Sequence, residues 1–231
     1  NTTGFKRDRA SFEDMLYQNI RQPGSQVTAD NQSPTGLMLG TGVRLVATEK
    51  IHAQGSMVTT KNALDLAITG GGFFQVAQPD GTIAYTRDGS FKINAEGQIV
   101  TANGQPLEPA VVIPPNASSI AVGQDGTITV EVPGGGSQVL GQIELARFVN
   151  PAGLQSLGQN LMRETAASGA PVVLAPGAEG AGQIMQGALE ASNVNVVEEM
   201  VNMIETQRAY EINSKAISSV DGMLRFLNNN L

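Results

Sequence analysis

A chain of 231 residues is long enough for one large or two modest domains, and with 15% charged residues, 4% aromatics and no Trp its surface is polar but weakly charged. A net charge of −7 argues against nucleic acid or anionic lipid as partners, because both need clustered positive charge. The absence of Cys removes disulfides, thiol catalysis and thiolate metal sites together, and no apolar run of about 18 residues offers direct membrane insertion.

No signal peptide is recognisable, and the chain opens at Asn1 without an initiator Met, so the natural N-terminus is expected upstream. Gly4 reads as a turn in an exit segment. Residues 8–20 have the spacing of a short amphipathic helix, with Phe12, Met15, Leu16 and Ile20 on one side. Beside it Lys6, Arg7 and Arg9 form a basic cluster, read as a solvated helix start or, more sharply, as a contact for an acidic neighbouring subunit. Pro23-Gly24 stops that helix, and residues 25–35 read as a long surface loop or extended arm. Residues 43–51 alternate loosely as a strand, and residues 57–62 read as a connection.

From Ala63 the texture becomes that of an antiparallel β-domain. Strand-like runs at 64–68 and 73–76 are followed by turn signals at Pro79-Asp80-Gly81, Asp88-Gly89, Glu96-Gly97, Asn103-Gly104 and Asp125-Gly126. Short, partly β-branched segments lie between them at 82–86, 91–94, 98–101 and 127–132, with one longer strand expected at 139–149. Closely spaced turns of this kind mean a sandwich or an open barrel. Residues 150–186, rich in Gly, Ala and Pro, read as loops with room for one strand. The expected fold class is therefore mixed α and β. An N-terminal segment spans 1–62, a β-rich domain 63–190 and a C-terminal helix 191–231.

That helix carries the strongest pattern. Between Val196 and Leu227 there is no proline and Gly222 is the sole glycine, while Val196, Met203, Tyr210, Ile217 and Leu224 recur every seven residues. Asn195 with Glu198 has the form of an N-cap and its acidic partner, and Glu198, Glu199 and Arg225 suit the helix dipole. In the first half Val197, Val201 and Ile204, with Met200, widen the seam on one side. From Ala209 onward Ile212, Ala216, Val220, Met223 and Leu227 widen it on the other. A helix resting on one globular core keeps one side dry throughout, so these sites are candidates for an assembly interface. The alternative is a helix broken or bent near Gln207 and folded onto its own domain. Gln207, Ser214 and Asp221 interrupt the seam and argue against a simple two-stranded zipper.

Chemistry is harder to find. His52 is the single histidine, and with no Cys beside it a zinc or Ser–His site has no second member, so it reads as a surface or turn residue. Gly70-Gly71-Gly72 runs into Phe73-Phe74 rather than a Lys-Ser/Thr and a helix, which makes it a tight turn with close backbone packing, not a phosphate loop. Gly134-Gly135-Gly136 reads as a loose hairpin end. The acids Asp80, Asp88, Glu96 and Asp125 fall at turns, where they serve local backbone hydrogen bonds. The reading is a non-enzymatic chain with no catalytic, cofactor or metal site. A carbohydrate or adhesion module with a helical tail is the rival; it would need a concave aromatic patch that few aromatics can build.

Several stretches resemble motifs of the bacterial flagellar rod and hook family. They are Gly4-Phe5-Lys6 at the start, Gly70-Gly71-Gly72-Phe73-Phe74, Tyr85-Thr86-Arg87-Asp88-Gly89, Asn193-Val194-Asn195 with Glu199, and Gln207-Arg208-Ala209-Tyr210. The resemblance implies a subunit that polymerises helically into the flagellar shaft. Its terminal helices would pair as a coiled coil lining an inner tube, with the β-domain outside. The implied partners are further copies of itself, other rod proteins and the hook at its ends, and the ring bushing of the outer envelope. Export unfolded through the flagellar secretion apparatus, without a cleavable signal, and a place spanning the periplasm to the outer membrane are implied as well. Residues 12–18 and the arm to Gly42 point to the distal part of the rod rather than to the hook; a proximal rod or hook subunit is the alternative. The family's N-terminal helix is expected to precede Asn1.

Overall fold

The computed structural model describes residues 2–26 and 31–229, and the chain falls into two units, Asn1–Ser192 and Asn193–Leu231. The first is almost entirely antiparallel β-structure. Its centre is a sheet in which Gln155–Gly158, Leu161–Arg163, Ile83–Thr86, Phe73–Ala77, Leu145–Arg147 and Val172–Leu174 lie side by side, with Leu107–Glu108 also pairing to Phe73–Ala77. A three-stranded meander of Ser119–Val122, Thr127–Val132 and Gly136–Gln142 stands beside it.

Alternation along the strands decides what each sheet face buries. Phe74 and Val76 enter the main core with Leu66, Ile68, Leu107, Ile128 and Leu145. Their neighbour Phe73 points to the opposite face, into a second cluster with Tyr85, Phe148, Leu154 and Met162. Both faces of the central sheet are thus covered, and aromatic rings meet edge to face on each. Phe74 meets Phe91 at 5.1 Å on one side and Tyr85 meets Phe148 at 4.8 Å on the other.

The turns form where Asp-Gly and related pairs predict them. Asp125 accepts the Thr127 amide at 3.1 Å while Gly126 takes φ +83°, where an added Cβ would stand 2.5 Å from the Ile143 carbonyl. Asp80 and Asp88 accept the amides of Thr82 and Ser90 in the same way. At the third such turn the acceptor is Asn94, which takes the amides of Glu96 and Gln98; Glu96 itself is not the capping group. The glycine-rich stretch at 134–136 closes the hairpin of the meander.

The N-terminal region differs from its sequence reading. Residues 8–20 are not a helix: Asp8–Asp14 pairs with Val43–Lys50, and Tyr17–Arg21 pairs with Leu37–Gly40. The cross-strand ladder overrides helical spacing because it aligns Phe12 with Leu45 and pairs three opposite charges. Those pairs are Lys50–Asp8 at 2.9 Å, Arg9–Glu49 and Arg44–Glu13. The basic cluster is correspondingly divided, with Arg9 on this exposed ladder and Lys6 buried. The expected loop at 25–35 is the far end of this ribbon, where Gln26 bridges to Gln32 and Ser33 is buried; residues 27–30 lie outside the described residues.

Three further expectations change. Residues 57–62 contain a strand, Met57–Thr59, paired with Ala188–Glu190. The single long strand expected at 139–149 is two, Gly136–Gln142 and Leu145–Arg147, in different sheets. The stretch read as loops at 150–186 holds a short 3-10 turn, Pro151–Gly153, and four strands of three or four residues.

Candidate assembly interface

The second unit is one unbroken α-helix, Val196–Asn229. Its 34 residues make a rod of about 51 Å at 1.5 Å per residue. Asn195 caps it, its Oδ1 accepting the Val197 amide at 3.1 Å, while its carbonyl accepts the Glu199 amide at 3.0 Å. The helix continues without a break through Gln207, so the alternative of a helix broken there does not hold. It ends beyond Leu227, which leaves Arg225 inside the helix, paired with Asp221 at 3.0 Å one turn back.

All the predicted interface side chains are on this helix, and all are exposed. Val196, Val197, Met200, Val201, Met203, Ile204, Ile212, Val220, Leu224 and Leu227 each expose about half or more of their surface, and Tyr210 and Ile217 reach 76% and 71%. Phe226 is exposed as well, at 69%, but two residues past Leu224 it stands about 200° round the helix, nearly opposite the seam, and the heptad pattern does not include it. Relative to the seam, Val197 and Ile204 stand one residue after it, and Ala209, Ala216 and Met223 one residue before it. One residue is about 100° of rotation, so the two halves of the rod widen on opposite sides. Burying ten such side chains at about 1.5–3 kcal/mol each would contribute a gross ~15–30 kcal/mol, much of it offset by ordering.

The motif residues of the first unit build the domain from inside. Gly70 and Gly72 take φ +110° and +130°, and a Cβ on Gly70 would meet the Gly182 Cα at 3.0 Å. Gly89 is held closer still, since its Cβ would lie 1.6 Å from the Leu66 carbonyl oxygen. Phe73 and Phe74 supply the two cores. The Tyr85 hydroxyl donates to Glu164 at 3.3 Å, and burial first, then that carboxylate, push it up to about 12. Arg87 is buried and donates to the carbonyls of Ile68 at 3.2 Å and Gly70 at 2.5 Å. Gly4 and Lys6 reach Glu190 on the last strand, and Phe5, partly exposed, lies under the Lys50 ammonium at 5.4 Å. Asn193, Glu199, Gln207, Arg208 and Tyr210 belong to the second unit.

His52, read as a surface or turn residue, lies in an irregular segment and is only partly exposed. Its ring is half-buried, edge-on to Phe73 at 5.5 Å, and burial, then the nearby Lys6 and Arg87, push its pKa down to about 4. Among the described residues no group of three or more His, Asp or Glu is arranged to hold a metal ion, and no helix is long and apolar enough to cross a membrane.

A β-domain whose motif residues serve packing, joined to a long helix with unsatisfied apolar sides, defines a structural subunit built to assemble. Residues 67–130 match the family described as flagellar hook protein FlgE/F/G D1 domain, and residues 185–230 match the flagellar basal body rod FlgEFG protein C-terminal region. The chain belongs to this flagellar basal-body rod and hook family, whose members are structural, non-enzymatic subunits. It is 54% identical over 228 residues to the flagellar basal-body rod protein FlgG of Buchnera aphidicola subsp. Schizaphis graminum, covering 98% of this chain and 88% of that one. To FlgG of Borreliella burgdorferi it is 47% identical over 232 residues, 99% and 88% of the two chains. To the rod protein FlgF of Caulobacter vibrioides it is 37% identical over 229 residues, 97% and 84% of the two chains.

Proposed function

We propose that this chain is a subunit of the distal rod of the bacterial flagellum, the shaft that transmits torque from the motor to the hook. It acts by helical self-assembly, with the terminal helix packed among the helices of sister subunits and the β-domain outside them. The observation that carries this reading is the capped, unbroken helix with exposed apolar side chains on opposite sides of one seam. Higher identity to FlgG than to FlgF favours it over another axial subunit. The partners at its two ends are other rod proteins and the hook, the ring bushing of the outer envelope surrounds it, and it leaves the cell by flagellar export.

The N-terminal ribbon, residues 18–42 above all, extends this reading. Tyr17, Ile20, Met38 and Leu39 are exposed on an isolated two-stranded pairing, and such a ribbon is marginal in water without further cover. It reaches a neighbouring subunit and stiffens the shaft. Unchanged bending of rods assembled from a chain lacking residues 18–42 would dispose of that role. The main test is Met203→Asp with Ile217→Asp in one chain. The variant is expected to be exported and to fold its β-domain, yet to leave cells without rods beyond the point of its incorporation and without motility. Normal basal bodies built from the variant would refute assembly through the seam.

A further inference from the structure

The first and last segments of the β-unit are joined at one buried point. Glu190, on the final strand, is 1% exposed. Its Oε1 accepts the Lys6 ammonium at 2.6 Å and the Gly55 amide at 2.8 Å, and its Oε2 faces the Arg87 guanidinium at 3.4 Å. Its backbone carbonyl accepts the Gly4 amide at 2.9 Å. Lys6 also donates to the Ala53 carbonyl at 2.8 Å, and the next residue of the exit, Ala191, donates its amide to Ser56 at 2.8 Å. The fit is close: a Cβ on Gly55 would stand 2.0 Å from the Ala191 carbonyl oxygen. Glu190 therefore holds three segments far apart in sequence: residues 4–6, the loop at 53–55 and the Arg87 turn.

His52 sits at the edge of this cluster. It packs edge-on against the Phe73 ring, and Arg87 lies over that same ring at 5.5 Å. The cations facing it are Lys6, Arg87 and Lys50, and the Pro151 carbonyl is nearby. The neighbouring carboxylates are engaged already, Glu190 by Lys6 and Arg87 and Asp8 by Lys50. A proton on the imidazole would add a third positive charge near Lys6 and Arg87, which already share one carboxylate.

We infer that Glu190, Lys6 and Arg87 form a clasp tying the entry of the β-domain to its exit, and that His52 makes the clasp open in acid. With no Cys in the chain, no disulfide can tie residues 4–6 to the exit strand, and the contacts of this cluster hold the two together. The inference concerns the isolated subunit and does not need the assembly reading. Burial of the neutral ring holds the His52 pKa well below its unfolded value of about 6.5, so the clasp is fully closed above that pH and weakens as pH falls toward 4.

The test is hydrogen exchange of the full chain as a soluble monomer, read as protection factors for the Gly4, Gly55 and Ala191 amides between pH 7.5 and 4.5. After allowance for the ring's partial exposure, protection at these three is expected to fall about tenfold, while the Val76 and Val130 amides keep theirs. His52→Phe, which keeps a ring against Phe73, is expected to abolish the fall. Lys6→Met is expected to lower protection at Gly4 and Gly55 already at pH 7.5, without change at Val76. An equal fall in wild type and His52→Phe, or Lys6→Met exchange identical to wild type, would overturn the inference. Failure of rods to assemble would bear on the function proposed above and not on this clasp.

Discussion

Replacing Gly89 by Ala adds one methyl group where the fold has no room for it. Gly89 accepts the amides of Leu66 and Phe91 at 3.0 Å each, and it brings two segments so close that its Cβ would overlap the Leu66 carbonyl oxygen at 1.6 Å. Relief requires the two backbones to part by well over an ångström. That breaks the Gly89–Leu66 hydrogen bond and strains the adjoining Asp65–Ser90 bridge. Leu66 and Phe91, both 2% exposed in the main core, must move with them. Loss of a buried backbone hydrogen bond costs about 1–3 kcal/mol and forced repacking about 1–3 kcal/mol more, so Gly89→Ala is expected to destabilise the β-domain by about 2–6 kcal/mol. Urea unfolding followed by far-ultraviolet circular dichroism measures it, the chain having no Trp to report. Gly222→Ala is the control. That site has open space around it on the helix, and Ala is expected to favour the helix by up to about 1 kcal/mol. A Gly89→Ala midpoint within about 0.5 kcal/mol of wild type would refute the close-approach argument.

Truncating Phe148 to Ala removes the ring that Tyr85 and Phe73 both meet edge-on, and should destabilise the same domain by about 3–5 kcal/mol in the same titration. Global stability should also decline in acid. His52 is held neutral by the fold, so its contribution is whole above pH about 6.5 and diminishes as pH falls toward 4; discounted for partial exposure, the loss is about 1–2 kcal/mol and absent in His52→Phe. Tyr85 runs the other way. The fold favours its neutral phenol, so stability holds below pH 10 and declines as pH rises toward 12, which Tyr85→Phe should remove in alkaline melts.

The parts legible in the sequence were those whose physics is local. Asp-Gly pairs announced the hairpins because the Asp side chain and the following Gly complete a turn within a few residues, as Asp125-Gly126 does. The terminal helix was legible over its whole length, since a seven-residue repeat, a cap and the absence of Pro all agree. The motif residues were visible, but their geometry was not: Arg87 and Lys6 meet Glu190 only after the chain has folded back on itself. The N-terminal ribbon is not legible locally because Phe12, Met15, Leu16 and Ile20 fit helical spacing, and the deciding partners lie 31 to 42 residues away at Arg44, Glu49 and Lys50. The partial burial of His52 is not legible in the sequence, because a lone histidine carries no local sign of it. The short strands at 155–186 escaped for a different reason. With three or four residues apiece, they are too brief to show alternation.

The central claim is that the apolar sides of the terminal helix are covered by other copies of the chain, and the lack of native Cys permits a direct measurement. Single cysteines at Val201, Ile217 and Leu224 can be tested with a maleimide on the secreted monomer and on purified basal bodies. The account predicts ready labelling of the monomer at all three, strong protection in the basal body, and oxidative cross-links between chains there. Equal labelling in the two states, with no chain-to-chain cross-link at any of the three, would contradict it.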